Sequence, residues 1–98
     1  MDNYLSGSIS NEIGLLKSFS TLQFLINHLT GAIPASIGNL TSLTTLTLSQ
    51  NMFSGLIPKE IGMLKSLSEL DLSNNTFSGQ IPTSIGNLSN LAHLFFVR

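Results

Sequence analysis

The chain has 98 residues, of which 42% are hydrophobic and only 9% are charged, and its formal net charge is -1. This length accommodates one domain, the high hydrophobicity argues against intrinsic disorder, and the four basic residues form no stripe of the kind that nucleic-acid binding requires. The absence of cysteine excludes disulfides and thiolate metal sites from this segment, and no apolar run approaches the ~20 residues that span a membrane.

The sequence is built from an internal repeat of 24 residues. Equivalent positions start at Phe19, Leu43, Leu67 and Leu91, and residues 43–66 and 67–90 are identical at 13 of 24 places. A fixed period of this length is typical of solenoid proteins. The chain is therefore interpreted as a single array, with a partial repeat at 1–18, full repeats at 19–42, 43–66 and 67–90, and the start of a fifth at 91–98.

Each repeat opens with a predicted strand, because strings such as TLTLS and ELDLS alternate apolar and polar residues. An asparagine follows at the predicted bend, and its amide carries two donor hydrogens and an acceptor oxygen. A polar group buried in every coil is tolerated only when it is hydrogen-bonded, so we expect it to bond backbone groups of its own and the adjacent coil. This predicted asparagine ladder comprises Asn3, Asn27, Asn51 and Asn75.

The second half of each repeat, FSGxIPxxIGxL, is predicted to turn the chain back. Its first glycine permits a backbone angle or a close approach that a side chain would prevent. Pro34, Pro58 and Pro82 fix the backbone angle that follows. The final IGxL element is predicted to be a short helical or 3₁₀ segment.

The full pattern, LxxLxLxxNxFSGxIPxxIGxL, covers essentially the whole chain and resembles the plant-specific leucine-rich repeat. The SGxIP element marks this subclass, which is found in the extracellular domains of plant receptor-like kinases. The resemblance implies an α/β solenoid, a right-handed superhelix with a concave parallel β-sheet and often a second short strand around SGxIP. It also implies binding of a peptide hormone, an elicitor or a co-receptor, with a membrane helix and a cytoplasmic serine/threonine kinase elsewhere in the parent protein.

The candidate binding face consists of the polar positions that flank each strand, since the inward columns of a solenoid are structural. This face combines hydroxyls, an acidic pair and an aromatic end, and it could present hydrogen bonds and one or two charges to an extended peptide. The pair Glu69 and His93 is expected to make a surface contact rather than an acid–base site. The candidates are Thr21, Gln23, Thr45, Thr47, Ser49, Glu69, Asp71, Ser73, His93 and Phe95.

The sequence contains no pattern that indicates catalysis or a cofactor. His28 and His93 are far apart and no cysteine accompanies them, so no metal cluster is expected. A phosphate-binding loop is also absent, and the many serines belong to the repeat. We therefore expect no enzymatic activity and no cofactor in this segment.

Three N-glycosylation sequons occur, at Asn39, Asn74 and Asn87. Such triplets also arise by chance in a repeat rich in Asn, Ser and Thr, but they fit a secreted parent. Asn39 and Asn87 share one column, which is predicted on the outer, convex side. They lie two coils apart, because the repeats alternate in pairs. Residues 11–18 (NEIGLLKS) match 59–66 (KEIGMLKS), and residues 35–42 (ASIGNLTS) match 83–90 (TSIGNLSN).

Several elements of a complete receptor are not found in these 98 residues: a signal peptide, the cysteines of terminal caps, a membrane helix, a kinase, and an Arg-x-Arg pair for a peptide carboxylate. We expect an internal piece of a receptor that lies on the extracellular face of the plasma membrane. The alternatives are a fragment of a secreted inhibitor of the polygalacturonase-inhibitor type, or a non-functional truncated product. A membrane helix and kinase after the repeats would indicate the receptor. A cysteine-containing cap followed by the end of the protein would indicate the inhibitor. Uncapped solenoid ends also predict self-association.

Overall fold

The computed structural model describes residues 6–24 and 28–96. In this part of the chain, short strands and 3₁₀ helices recur every 24 residues. The strands are β1 (Ser6–Gly7), β2 (Thr21–Gln23), β3 (His28–Gly31), β4 (Thr45–Thr47), β5 (Met52–Leu56), β6 (Glu69–Asp71), β7 (Thr76–Ser78) and β8 (His93–Phe95). The 3₁₀ helices are η1 (Asn11–Leu15), η2 (Ala35–Asn39), η3 (Lys59–Met63) and η4 (Thr83–Asn87).

Two parallel sheets run along the solenoid. The main sheet has the order β2-β4-β6-β8, and its strands pair residues that are 24 apart, such as Leu22 with Leu46. The second sheet has the order β1-β3-β5-β7 and contains the SGxIP strand that the family resemblance implies. Its strands pair residues that are 22 apart, such as Gly55 with Phe77. A shift of two residues leaves side chains on the same face, so both sheets keep one apolar side toward the interior.

Each 24-residue coil has three sides: the main sheet, the second sheet and the 3₁₀ helix. Among the described elements, no Cα of a helix lies within 8 Å of a Cα of any strand, and the two sheets are equally separate. Every side therefore stacks only on the same side of the adjacent coils. The result is the leucine-rich repeat architecture that the sequence predicts, with the return segment in the 3₁₀ form.

The three sides enclose one hydrophobic core that runs through the coils. Its columns are those of the repeat, and in the central coils the leucines of these columns are fully buried, as are Phe53 and Ile61. The rings of Phe53 and Phe77 stack with centroids 6.2 Å apart and an interplanar angle of 5°. Each such contact joins one coil to the next, so the core is continuous along the axis.

The outer coils expose residues of columns that the central coils bury. Phe19 is 46% exposed although its equivalents Leu43 and Leu67 are 0% exposed, and Leu94 is 41% exposed although Leu70 is 0% exposed. A column in a solenoid is covered only when a coil lies on each side of it. Self-association through these two ends stays a prediction.

The asparagine at the bend joins the backbones of two coils. Asn75 Oδ1 accepts a hydrogen bond from Phe53 N–H at 3.0 Å, and its Nδ2 donates to Leu48 O at 2.8 Å, both in the preceding coil. The same Nδ2 donates to Leu72 O and Ser73 O in its own coil.

Asn51 repeats the arrangement one coil earlier. It accepts from Leu29 N–H at 3.2 Å and donates to the carbonyl oxygens of Phe24, Leu48 and Ser49. Both asparagines are buried, and both bond in the way that the repeat pattern predicts. Asn3 and Asn27 lie outside the described residues.

The glycine of each 3₁₀ helix allows the helices of adjacent coils to approach closely. A Cβ atom added to Gly62 would lie 2.6 Å from both O and Cβ of Ser84, and one added to Gly38 would lie 2.8 Å from Glu60 O. These separations are shorter than van der Waals contact, so an alanine would push the helices apart. At Gly86 an added Cβ would meet no atom within 4 Å.

Gly62→Ala is expected to lower the free energy of unfolding by about 1–3 kcal/mol, because the added methyl group overpacks the junction of η3 and η4. Gly86→Ala is the matched control, with the same substitution at the same register but open space, and should change it by less than about 0.5 kcal/mol. Urea titrations followed by circular dichroism measure both. Equal losses in the two variants would show that helix stacking does not require the glycine.

Asn75→Ala is expected to lower the free energy of unfolding by at least about 2 kcal/mol, since each buried group left without a partner costs about 1–3 kcal/mol. Asn90→Ala is the control: Asn90 is exposed and its Nδ2 donates one bond, to Lys65 O at 3.3 Å. This control should lower the free energy of unfolding by no more than about 0.5 kcal/mol. Urea unfolding again measures both, and a loss at Asn75 as small as that at Asn90 would contradict the ladder's role.

Candidate functional site

The main sheet places eight of the ten candidate residues in two rows that cross the strands, and Ser49 and Ser73 follow β4 and β6. The first and third residues of each strand alternate with the core leucine between them, so their side chains lie on the opposite face from the core. The register fixes which residues are neighbours. The first row is Thr21, Thr45, Glu69 and His93, and the second row is Gln23, Thr47, Asp71 and Phe95. We call this surface the main-sheet face.

The chemistry of the main-sheet face changes from coil to coil. β2 and β4 contribute hydroxyl and amide groups, and β6 contributes the carboxylates of Glu69 and Asp71. β8 contributes the rings of His93 and Phe95, which stack with centroids 6.4 Å apart and an interplanar angle of 5°. Phe95 is 49% exposed. The face therefore runs from neutral polar groups through acidic groups to exposed aromatic rings.

The Asp71 carboxylate is held in place by the neighbouring Ser73. Its Oδ1 accepts a hydrogen bond from Ser73 Oγ at 2.6 Å and another from Ser73 N–H at 3.0 Å. Both side chains are half-buried. This arrangement orients the carboxylate at the end of β6, beside the bend that leads to Asn75.

Glu69 and His93 are register partners on adjacent strands. The imidazole of His93 packs against the ring of Phe95 on its own strand. Within the described residues, no group of three or more His, Cys, Asp or Glu side chains could hold a metal ion.

Two of the ten candidates, Thr47 and Ser49, are not accessible. Thr47 is 4% exposed and Ser49 is 8% exposed, so the prediction that they contact a ligand is wrong for this structure. Thr47 lies between Gln23 and Asp71 in its row. The other eight candidates are half-buried or exposed.

The hydroxyl of Thr47 is buried without a hydrogen-bond partner among the described residues. Thr76 provides the contrast, since its Oγ1 donates to Phe53 O at 2.8 Å across the second sheet. The two threonines thus differ in burial and in hydrogen bonding, since Thr47 is buried without a partner whereas Thr76 is exposed and bonded.

The sequons lie away from the rows of the main-sheet face. Asn39 and Asn87 are the last residues of η2 and η4 and are exposed. Asn74 is also exposed, but it lies at the bend between β6 and β7 with a φ of 58°. An asparagine tolerates this left-handed conformation better than most residues.

Two exposed apolar side chains of β5, Met52 and Leu56, are not among the candidates that the repeat pattern predicts. They occupy columns in which other repeats carry polar or small residues, such as Thr76 and Ala32. Apolar residues in such variable columns are the signal that would have identified them.

The part of the chain that the structure describes forms an open surface, without a pocket. No helix in it is both long enough and apolar enough to cross a membrane.

Residues 17–77 match the family model described as leucine rich repeat. The chain belongs to the leucine-rich repeat family. No curated protein matches it.

The chain is also similar to solved plant receptor ectodomains. One is the ectodomain of the membrane receptor kinase GASSHO1/SCHENGEN3 from Arabidopsis thaliana in complex with CASPARIAN STRIP INTEGRITY FACTOR 2, with a TM-score of 0.92 and 41% identity over 99% of this chain and 12% of that chain. The Arabidopsis receptor kinase HAESA, in complex with the peptide hormone IDA and the co-receptor SERK1, has a TM-score of 0.95 and 38% identity over 98% of this chain and 16% of that chain. The BIR2 ectodomain from Arabidopsis thaliana has a TM-score of 0.85 and 34% identity over 94% of this chain and 48% of that chain.

This leucine-rich repeat chain therefore spans less than half of the length of each of these three relatives. Its coils correspond to a few of the many coils in the HAESA and GASSHO1/SCHENGEN3 ectodomains.

Thr47→Val is expected to leave the free energy of unfolding unchanged or to raise it by about 1 kcal/mol, because valine has the same shape and removes a hydroxyl that is buried without a partner. Thr76→Val is the matched variant and should lower it by about 0.5–1.5 kcal/mol through loss of the bond to Phe53 O. Thermal and urea unfolding measure both. A loss at Thr47 as large as that at Thr76 would mean that the Thr47 hydroxyl has a partner in solution.

Proposed function

We propose that this chain is a peptide- or protein-binding segment of a plant leucine-rich repeat receptor ectodomain, and that it binds through the main-sheet face. The observation that carries the proposal is the match of nearly the whole chain, at TM-scores of 0.92 and 0.95, to ectodomains in complex with CASPARIAN STRIP INTEGRITY FACTOR 2 and the peptide hormone IDA. The second of those complexes also includes the co-receptor SERK1.

The open and varied surface supports this assignment. A strand-like peptide laid across β2, β4, β6 and β8 would meet hydroxyl and amide groups first, then Glu69 and Asp71, then Phe95. The hydroxyls and the Gln23 amide can pair with main-chain groups of such a peptide. The two carboxylates favour a basic side chain or a free amino group, and the exposed ring of Phe95 offers the type of aromatic contact that often dominates binding energy.

The size of the face limits how much of a ligand it contacts. Four parallel strands about 4.8 Å apart extend over about 14 Å, which corresponds to about four residues of an extended peptide. A complete ligand would therefore contact further coils of a longer array. This agrees with the small share of the two ectodomains in complex that the chain covers, which is 12% of one and 16% of the other.

In this proposal the segment lies on the extracellular face of the plasma membrane and takes no part in catalysis. Its role is to hold a ligand or partner in a fixed orientation, while any kinase activity belongs to a separate part of the parent protein.

The test uses a display library of random linear peptides selected against the immobilised chain, followed by affinity measurement of the enriched peptides. Enriched peptides should carry a basic residue near an apolar one, to match Glu69, Asp71 and Phe95. Glu69→Lys should weaken their binding at least about tenfold, because a like charge then replaces the attraction in a partly desolvated site.

Glu60→Lys is the matched control, since it makes the same charge reversal in η3, whose Cα atoms lie more than 8 Å from those of the main sheet. Its affinities should equal those of the unmodified chain. Failure to enrich any peptide, or equal weakening by both variants, would rule out peptide binding through the main-sheet face.

A further inference from the structure

We propose that the outward side of the second sheet is a self-complementary surface on which a second copy of this chain docks, with Met52 and Leu56 as the apolar anchors. We call this outward side of β1, β3, β5 and β7 the second-sheet face. It contains none of the residues of the main-sheet face, so the inference does not rest on the proposed function. It is also distinct from association through the ends of the solenoid, because β5 lies between β3 and β7.

The two anchors are exposed although an adjacent strand lies on each side of β5. Met52 is 53% exposed and Leu56 is 67% exposed, whereas Phe53 is 0% exposed. The alternation of a strand places Met52, Ser54 and Leu56 on one face. The repeat does not require apolar residues there, since the equivalent positions of the next repeat are Thr76 and Gln80.

The side chain of Leu56 lies against the next coil. A Cβ atom added to Gly79, which follows β7, would lie 2.7 Å from Cδ2 of Leu56. The glycine therefore leaves the space that the leucine occupies, while most of the leucine side chain stays exposed. A side chain positioned in this way loses less conformational entropy when a partner covers it.

The second-sheet face is neutral. Its strands β1, β3, β5 and β7 contain no Asp, Glu, Lys or Arg, whereas β6 of the main sheet and η3 of the 3₁₀ side both carry charged residues. A charged partner surface would lose its hydration here without gaining an ion pair. An identical neutral face avoids this cost, and no like charges are brought together.

The hydroxyl groups beside the anchors tolerate burial. Thr30 Oγ1 donates a hydrogen bond to Gly7 O at 3.4 Å, and Thr76 Oγ1 donates to Phe53 O at 2.8 Å. Both bonds join adjacent coils of the same chain. Covering these hydroxyls therefore leaves no unpaired donor, and the docked surface does not have to supply polar groups to match them.

A two-fold axis through Ser54 matches the face with itself. A half-turn about the normal to the sheet at Ser54 brings Met52 opposite Leu56 of the second copy, and Leu56 opposite its Met52. Thr30 is level with Met52, and Ser78 is level with Leu56. These two small hydroxyl residues therefore also come opposite each other across the axis, and the large apolar residues meet only large apolar residues.

The size of the face sets the expected strength of the contact. Four strands about 4.8 Å apart and up to about five residues long cover roughly 19 × 17 Å. This area is well below the about 800 Å² per partner of a standard interface. We therefore expect a weak, reversible dimer with a dissociation constant between about 10 μM and 1 mM.

The test is sedimentation velocity of the full chain over about 10 μM to 1 mM. We expect a monomer–dimer equilibrium that stops at two copies, because an isologous contact closes on itself. The double variant Met52→Thr with Leu56→Gln replaces both anchors by the residues that the next repeat carries in these columns. It should raise the dissociation constant at least about tenfold and leave the circular dichroism spectrum unchanged.

Met63→Asn is the matched control. Met63 is 50% exposed on the 3₁₀ side, and Asn39 and Asn87 occupy its column in the adjacent repeats. This variant removes an exposed apolar side chain from another face in the same way and should leave the dissociation constant unchanged. A chain that stays monomeric throughout, equal weakening by both variants, or growth beyond two copies that the double variant does not reduce would overturn the proposal.

Cross-linking tests the position of the axis. The chain contains no cysteine, so Ser54→Cys introduces a single thiol, and two such thiols on facing sheets would lie about 10 Å apart. A bis-maleimide reagent of that length should link them into a covalent dimer. Ser78→Cys is the control, since it places the two thiols about twice as far apart and should give little covalent dimer. Equal cross-linking of the two variants would exclude an axis at Ser54.

Discussion

The hydrogen bonds of the asparagine at each bend hold the backbones of successive coils together. A chain that turns sharply after a three-residue strand leaves N–H and C=O groups that no strand partner reaches, and burial makes each of them costly. Asn75 satisfies an N–H and a carbonyl oxygen of the preceding coil and two carbonyl oxygens of its own. Because one side chain bonds both coils, the 24-residue register is fixed where the strand ends. The core leucines then meet their equivalents in the next coil, and the glycines of the 3₁₀ helices let that side approach to the same spacing.

This register leaves three sides whose backbones are separate, since no Cα in a described element of one side lies within 8 Å of a Cα in an element of another. Side chains from all three sides meet in the shared core, whereas their outward residues lie apart. The observed chemistry follows this division. The main-sheet face carries hydroxyls, carboxylates and aromatic rings, whereas the 3₁₀ side alternates charged coils with sequon coils.

The features that could be predicted from the sequence are those encoded within a single repeat. The main strand, the role of Asn51 and Asn75 and the helical return follow from residues a few positions apart. The period follows from comparison of the repeats, and the second strand around SGxIP is what the family resemblance implies. Burial in the outer coils and on the main-sheet face does not follow from any of these. Thr47 and Ser49 alternate as outward residues should, yet both are buried, because alternation along one strand gives the face on which a side chain lies and not its exposure to solvent. Phe19 occupies a core column, yet it is exposed because burial of a column needs a coil on both sides. The two-residue shift between the sheets likewise depends on three-dimensional stacking.

Under the proposed function, the order of chemistry along the main-sheet face has a consequence for how a ligand is oriented. Each hydrogen bond at such a surface contributes a net ~0.5–1.5 kcal/mol, so no single coil can hold a flexible peptide against the entropy it loses on binding. Affinity must be summed over coils, and specificity must come from their sequence along the axis. Here the carboxylates of Glu69 and Asp71 lie between a coil of hydroxyls and a coil of aromatic rings. A peptide with its basic and apolar residues in the matching order gains both contacts, and the same peptide in the opposite direction loses one of them. The asymmetry therefore selects a direction of binding, even over the short stretch that these four strands cover.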